Sequence, residues 1–426
     1  MKKLLALAAA PLFGLSAIAA PPLHKEPNNY HDLKEDAHTH FEENAPEGCK
    51  DMVPHFAIFG KKDKFYLGIG GTVKVTAGVD LGDPLDDPNQ FVTSALTPAA
   101  PGNHTKFNLS AMQSSLYVNF VGLPNTDNQI GAFFGMNLLN DYVPVVQYAY
   151  VKWRGVKAGY DYSIFSDNGA MPPTIDYEGP CSGTAMPVGT ISYTHHFGSR
   201  KEWSVGAGIE LSHLSLTATE RAHGVTQGAP DIPVAVCYAW GQDDWIRASA
   251  VLRNMCYRYQ PQSRNIDIVG WGVSISGTSG LFGSPLRAYW NATYGRGIAS
   301  YIQDTAGLGL DLVPTDAAGM LKPTHTWGVM AALQYDITDK VYCSASFSQV
   351  RNYADSWNHS TPGLFDGNEC TWGETYKYAQ YVSGSLFWDI NTITTAGVEY
   401  IYGRRKNNDL TQAHTNRLQA MIQVRF

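Results

Sequence analysis

His414-Thr415-Asn416-Arg417-Leu418-Gln419-Ala420-Met421-Ile422-Gln423-Val424-Arg425-Phe426 closes the chain. Counting back two at a time from the end gives Phe426, Val424, Ile422, Ala420 and Leu418, all apolar. The residues between them are Arg425, Gln423, Met421, Gln419 and Arg417, nearly all polar or cationic. Side chains alternate across a strand, so this segment has one apolar and one wet face. A soluble sandwich strand can alternate in the same way. The ending on an aromatic residue, in phase with the apolar face, adds a second signal. Together they predict the closing strand of a transmembrane, antiparallel, all-β barrel.

The start of the chain points to the same compartment. Lys2 and Lys3 precede an apolar run, Leu4 to Ala19, that ends in the small-x-small site Ala17-Ile18-Ala19. This reads as a cleaved signal peptide over 1–19 and predicts export. Beyond it no apolar run approaches the ~18 residues of a membrane helix. Barrel strands need only ~9–11 residues, of which every second one is apolar. Charged residues make up 16% of the chain, under the ~25% of ordinary soluble domains. Gly 41, Tyr 24 and Trp 10 fit a barrel with aromatic belts. No linker divides the 426 residues, so one large barrel accounts for 61–426 and an acidic, mostly irregular leader for 20–60. The formal net charge is −7 and the cations are dispersed along strands, which excludes nucleic acid as a partner.

The alternation recurs from Leu67-Gly68-Ile69-Gly70-Gly71-Thr72-Val73-Lys74-Val75 onward. Strands are expected over 67–81, 107–121, 129–139, 145–154, 156–163, 188–197, 202–214, 232–240, 244–257, 266–276, 285–295, 326–337, 340–352, 377–389, 392–403 and 414–426, about sixteen in all, an even number as bacterial barrels require. Short connectors such as Arg154-Gly155 and Thr338-Asp339 alternate with long ones over 82–106, 164–187, 215–231, 296–325 and 353–376. A sandwich or propeller has no reason to keep that phase. Closure of such a barrel requires strand 414–426 to pair with strand 67–81.

Parity then sorts the charges. Ile246, Ala248, Ala250 and Leu252 face one way, Arg247, Ser249 and Arg253 the other. Leu286, Ala288 and Trp290 oppose Arg287, Tyr289 and Asn291 in the same manner. A cation on the lipid face costs ~2–4 kcal/mol near the midplane, so Lys74, Lys152, Arg247, Arg253, Arg287, Arg417 and Arg425 belong to the lumen. Sixteen strands leave room for an aqueous channel.

Several segments carry a resemblance. Tyr148-Ala149-Tyr150-Val151-Lys152-Trp153-Arg154-Gly155-Val156-Lys157-Ala158-Gly159-Tyr160-Asp161 resembles the middle hairpin of the DcaP-like porin family, and Pro172-Pro173-Thr174-Ile175-Asp176-Tyr177-Glu178-Gly179-Pro180 resembles the loop that follows it. Gly270-Trp271-Gly272-Val273 and Gly397-Val398-Glu399-Tyr400-Ile401-Tyr402-Gly403-Arg404-Arg405 are similar to later parts of that family. Phe65-Tyr66-Leu67-Gly68-Ile69-Gly70-Gly71-Thr72-Val73-Lys74 resembles the first strand of the major porins of Bacteroidetes-type bacteria. The resemblance implies a trimeric diffusion porin of the outer membrane, with lipid and lipopolysaccharide as neighbours and a constriction loop folded into the lumen. It also implies that the strand ending in Phe426 is read by the barrel-assembly machinery. The helical heptads that often precede such barrels are absent from residues 21–55, so no coiled-coil stalk is carried over.

The constriction loop falls at 163–187. Asp176 and Glu178, flanking Tyr177, would face the inward cations across the narrowest point, the least placed being Arg425 near the rim. The alternative is a solvated loop touching nothing. His24, His31, His38 and His40 have no spacing suited to a rigid metal site and are expected to be solvated. His195 and His196 point to opposite faces of one strand. Cys49, Cys181, Cys237, Cys256, Cys343 and Cys370 allow fifteen pairings, a Cys181–Cys370 staple between loops among them. No G-x-S-x-G or phosphate loop occurs, and no cofactor is expected. The leading expectation is passive diffusion of small hydrophilic solutes and ions, without a catalytic step. A non-conducting surface receptor or adhesin is the alternative, and a barrel-embedded hydrolase using His195 or His213 the third.

Overall fold

In the computed structural model, residues 30–49, 52–60, 64–97, 104–225, 227–241, 243–281, 283–354 and 357–426 are described. The signal peptide expected over 1–19, with His24, lies outside them. The chain closes into one antiparallel sheet of nineteen segments. Thr105–Ser110 and Ser115–Gly122 both pair with Phe65–Gly82 and form one interrupted stave. Phe56–Phe59 and Ala222–Gly224 are short additions, which leaves sixteen staves. These are Phe65–Gly82, the interrupted stave, Ile130–Asn140, Val143–Trp153, Val156–Tyr162, Pro187–Phe197, Trp203–Leu211, Ile232–Ala239, Trp245–Tyr259, Arg264–Leu281, Leu286–Arg296, His325–Thr338, Val341–Tyr353, Tyr376–Asp389, Thr394–Asn407 and Gln412–Arg425. Among the described residues no helix is long and apolar enough to cross a membrane.

The seam forms as closure demands. The first and last strands pair from Thr72 opposite Arg425 to Gly82 opposite Thr415. Apolar residues of both strands then share the outer face, with Val73, Val75, Leu418 and Ile422 all exposed. Exposure of this kind along every stave is what a lipid-facing band requires. At the short-turn end the outer face carries a run of rings, Tyr193, His195, Phe197, Trp203, Tyr238 and Trp240, each in contact with the next. Amphipathic rings settle at a bilayer's edge. The tight hairpin at Arg154-Gly155 has both residues at positive φ, 47° and 81°. That is the type I′ turn whose twist matches its strands. A Cβ on Gly155 would also lie 2.7 Å from the Thr194 carbonyl oxygen, so glycine is required there twice over.

One segment differs from the sequence expectation. Instead of an irregular leader, Tyr30–Asn44 forms helix α1, and Phe56–Phe59 adds a short strand that pairs with residues 66–69 of the first stave. The helix lies inside the barrel. Its Asn44 amide donates to Asn119 Oδ1 at 2.7 Å, and Tyr66 donates to Asp36 at 2.6 Å, Asn119 and Tyr66 being inward wall residues near the short-turn end. Ala37, His40, Phe41 and Asn44 are buried, while Lys34, Glu35, His38, Thr39, Glu42 and Glu43 stay exposed. His40 is therefore a buried residue of the lumen, not a solvated one. The six cysteines are all free, so the Cys181–Cys370 staple is not formed.

Candidate functional site

The loop between Tyr162 and Pro187 turns inward and runs around the inner wall. Ser249 donates to the Phe165 carbonyl at 2.9 Å and Ser276 to Asp167 at 2.6 Å, on two adjacent strands. Further along, Ser344 donates to the Pro173 carbonyl at 2.6 Å and Lys74 Nζ to the Ile175 carbonyl at 2.8 Å. The Tyr177 hydroxyl then accepts from Asn137 at 2.9 Å, on yet another side of the barrel. Proline pairs stiffen such a loop without adding ladder hydrogen bonds. A loop tied to stave after stave in this way rings the lumen at mid-depth.

Its tip is fixed by a carboxylate. Glu399, buried on the strand Thr394–Asn407, accepts from the backbone N–H groups of Ile175 and Asp176 at 2.8 and 2.9 Å. It also accepts from Ser385 at 2.6 Å and Gln419 at 2.7 Å. Four donors saturate one carboxylate, and charge-assisted bonds of this kind are the stronger ones. Parity alone places Glu399 inward, between the outward Val398 and Tyr400. The rule that sorted the cations would have found it had it been applied to acids.

Asp176 itself is buried. It accepts from the Phe91 N–H at 2.8 Å, the Gly179 N–H at 3.0 Å and the Tyr381 hydroxyl at 3.2 Å. Burial, with the neighbouring Glu399 charge, raises its carboxyl to about 7. Glu178 is half-buried, and its carboxyl is also pushed up, by burial first and then by Asp176, Asp304 and Asp87. Tyr177 reaches the wall through its hydroxyl and leaves its side chain 40% exposed. The three adjacent residues thus have three settings: a buried tie, an exposed ring and a half-wet acid.

Of the expected cations among the described residues, Lys74 alone hydrogen-bonds the loop tip, while Arg417 lies over the Phe91 ring, close enough for its charge to act on Asp176. Lys152 donates to the carbonyls of Glu43, Asn44 and Ala45 at 3.1–3.3 Å, at the C-terminal end of α1. A cation there meets the negative end of the helix and its unpaired carbonyls. Arg247 bridges Glu47 and the Ile164 carbonyl, joining the N-terminal segment to the base of the loop. Arg253 is enclosed by Asp231 at 3.1 Å and Asp311 at 3.0 Å, and none of its contacts is with the loop tip. Arg287 pairs with Asp244 at a short turn. Arg417 makes a two-pronged pair with Asp80 at 2.6 and 2.9 Å across the barrel seam, and donates to the Asp87 carbonyl at 3.0 Å. Arg425 stands opposite Thr72 near the chain end, away from the loop. A buried cation left alone is costly, so the enclosed ones have each acquired a carboxylate or a set of carbonyls. Asp80, Glu47, Asp231 and Asp311 are the acids that do this, and only their inward parity or loop position was visible beforehand.

No protein-family model matches this chain, and no curated protein does. Solved structures do. The outer-membrane channel DcaP of Acinetobacter baumannii superimposes with a TM-score of 0.72 at 17% identity, covering 87% of this chain and 100% of that one. A trimer form of OmpT, an outer-membrane protein of Vibrio cholerae, gives 0.50 at 10% identity, covering 85% and 100%. OmpF of Salmonella typhi, solved with daunomycin, gives 0.50 at 13% identity, covering 87% and 100%. At these identities the likeness establishes the fold alone: a closed, sixteen-stranded antiparallel barrel of porin type. It agrees with the resemblance to DcaP-like porins and lends nothing to the narrower Bacteroidetes one.

Proposed function

We propose that the protein is a porin that lets small hydrophilic solutes and ions diffuse passively across the outer membrane. The observation that carries this reading is the loop 163–187, which rings a polar lumen while held to the wall by Glu399 and Lys74. A loop that set only surface contacts would have no need of ties to so many inner staves. In this reading the solvent-facing Tyr177 and Glu178 line the constriction, with Lys74 behind them. Asp176 positions the loop and does not face the solute. Arg247 and Lys152 hold the N-terminal segment at the opposite mouth, and Arg253, Arg287 and Arg417 support loops and turns.

In the same reading the long loops lie outside the cell and both chain ends in the periplasm, after export by a signal peptide over 1–19. A homotrimer extends it, supported by the trimer form described for the similarly folded OmpT. Insertion by the barrel-assembly machinery through the strand ending at Phe426, and contact with lipid and lipopolysaccharide, complete the set of proposed partners.

Purified protein reconstituted in a planar bilayer tests the reading. Discrete, salt-dependent conductance steps are expected, with a reversal potential in a salt gradient that reports the ion preference. A folded, inserted barrel that stays silent would overturn the porin and leave the surface receptor.

A further inference from the structure

The enclosed cations of the lumen have partners that neutralise them, whereas a set on the outside does not. Parity points Arg296, Arg351, Arg404 and Lys406 outward, in the same phase as Val329, Phe347, Val382 and Val398 of the exposed apolar band. All four lie at the long-loop end of their strands. Cross-strand pairs link three of them to aromatic residues in continuous rows, while Arg404 stands between Gln380 and His414. Trp271 opposes Arg296, which opposes His325, which opposes Tyr353. One row further down, Trp327 opposes Arg351, which opposes Tyr378, which opposes Lys406. None of the four is paired with a carboxylate among the described residues. Arg351 instead lies 4.4 Å over the Tyr353 ring, and Arg404 donates to Gln412 at 2.6 Å.

Where the two rows meet, the outer wall is hollowed into a cleft of about 490 Å³ that includes Arg296, Lys322, His325 and Trp327. None of the residues lining it is acidic. Below it, sharing Tyr294 and Trp327, runs an apolar groove of about 310 Å³ that includes Val273, Ile275 and Val329. A charge on a barrel's outer face is tolerated only near the bilayer edge, where its cost falls to ~0–1 kcal/mol. Cations over an aromatic belt, opening into an apolar trough, match a molecule with an anionic head and hydrocarbon chains. Arginine pairs with phosphate through parallel hydrogen bonds.

We infer that this cleft is a docking site for a phosphorylated lipid of the outer leaflet, its phosphate held by Arg296 and Lys322, with Arg351 reaching in from over the lining Tyr353 ring, and its acyl chain in the groove beneath. The inference rests on the barrel standing in the outer membrane with its long loops outward, but it is independent of conductance. The test uses the full chain, folded and loaded from phosphatidylcholine vesicles containing either diphosphoryl lipid A or the same lipid stripped of its phosphates. Native mass spectrometry then counts lipid retained per barrel. The intact chain should retain the phosphorylated lipid, and Arg296→Gln/Lys322→Gln/Arg351→Gln should retain about tenfold less, a change of about 1.4 kcal/mol. The charge-conserving Arg296→Lys/Arg351→Lys keeps most of the retention and shows that the face still folds. Unheated gel mobility reports folding for each variant. Equal retention of the dephosphorylated lipid, or by the glutamine variant, overturns the site. So does displacement by millimolar inorganic phosphate, which would mark a free-anion site, and so does loss of oligomer without loss of lipid, which would mark a subunit contact. A silent channel that still retains the lipid sinks the porin reading alone.

Discussion

The loop 163–187 and the segment 30–60 enter the same lumen and are held there by different means. The loop is closed at both ends by strands, and its tip is tied through backbone N–H groups to the buried Glu399. Among the described residues the N-terminal segment joins the sheet only where Phe56–Phe59 pairs with the first strand. Its helix docks through polar contacts, Asn44 to Asn119, Tyr66 to Asp36 and Lys152 to the helix end, and through Ala37 and Phe41 packed with Tyr66 and Val121. The contrast separates a fixed constriction from a tethered plug. A segment docked by hydrogen bonds worth ~0.5–1.5 kcal/mol each, in a barrel that the first and last strands close without it, can leave without breaking the sheet; the loop cannot.

The largest effect should therefore come from deleting 30–53 while keeping the export signal. Single-channel conductance is expected to rise about twofold or more, because the helix occupies lumen near the short-turn mouth. The wall it uncovers carries Val121 beside Tyr66, Asn119, Tyr150 and Lys152, whose polar groups accept water. Unchanged conductance would place the segment outside the conduction path and erase the contrast.

The reverse handle is Glu399. Glu399→Ala leaves the Ile175 and Asp176 N–H groups without their acceptor inside the protein, at about 1–3 kcal/mol each. The expected result is a noisier open state and a lower melting temperature, with the plug unaffected. Glu399→Gln keeps an acceptor and should do less. If alanine and glutamine behave alike, the loop is held by its prolines and side chains, and its tip needs no latch.

These two regions were unequally legible in the sequence, for a physical reason. Alternation read out all sixteen staves, including 188–197 and 232–240, because lipid demands an apolar residue at every second position. Residues 30–44 carry no such demand. The helix packs Ala37 and Phe41, but also Asp36, His40 and Asn44, on a wall that is itself mostly polar, so its buried face is only half apolar and no helical period stands out. The acids were hidden differently. Each inward cation could be assigned from parity, whereas its partner could not: Glu47, Asp231 and Asp311 reach Arg247 and Arg253 from loops or from the leader. Only Asp80 and Glu399 lie on strands, where the same parity would have revealed them. The pattern therefore suggested an eyelet of free cations, and folding paired them instead.

pH should separate the two regions a third way, at smaller amplitude. The Asp176 carboxyl is raised to about 7, so the folded loop holds a proton that the unfolded chain, with an ordinary carboxylate, has lost. Stability then falls as pH rises between about 4 and 7 and levels off above that. His40 is also raised: burial opposes its charge, but Glu43 and Asp36 outweigh that cost. Its contribution is complete below the ordinary histidine value near 6.5 and is lost as pH climbs through the higher folded value. Melting curves should show Asp176→Asn flattening the lower window only, and His40→Gln the upper window only. Both variants acting in one window would mean that the loop and the plug move as one body.

The smallest expected effect discriminates within the loop. Glu178 and Asp176 are two residues apart, but one is half-buried and the other enclosed by the N–H groups of Phe91 and Gly179. A charge acts on a passing ion in proportion to its access to the ion's path, and screening by salt removes what lies more than ~10 Å away at 0.1 M. Glu178→Gln should therefore shift the reversal potential toward anions by a few millivolts, on the order of a single charge lost from a wide pore. Asp176→Asn should shift it less, and because the two carboxyls are raised to about 7 and about 8 the comparison belongs near pH 9, where both are ionised and only access to the ion's path separates them. The ranking matters more than the size. If Asp176→Asn gives the larger shift, the tip of the loop opens to solvent in the conducting state, and the tie to Glu399 is a feature of the closed one.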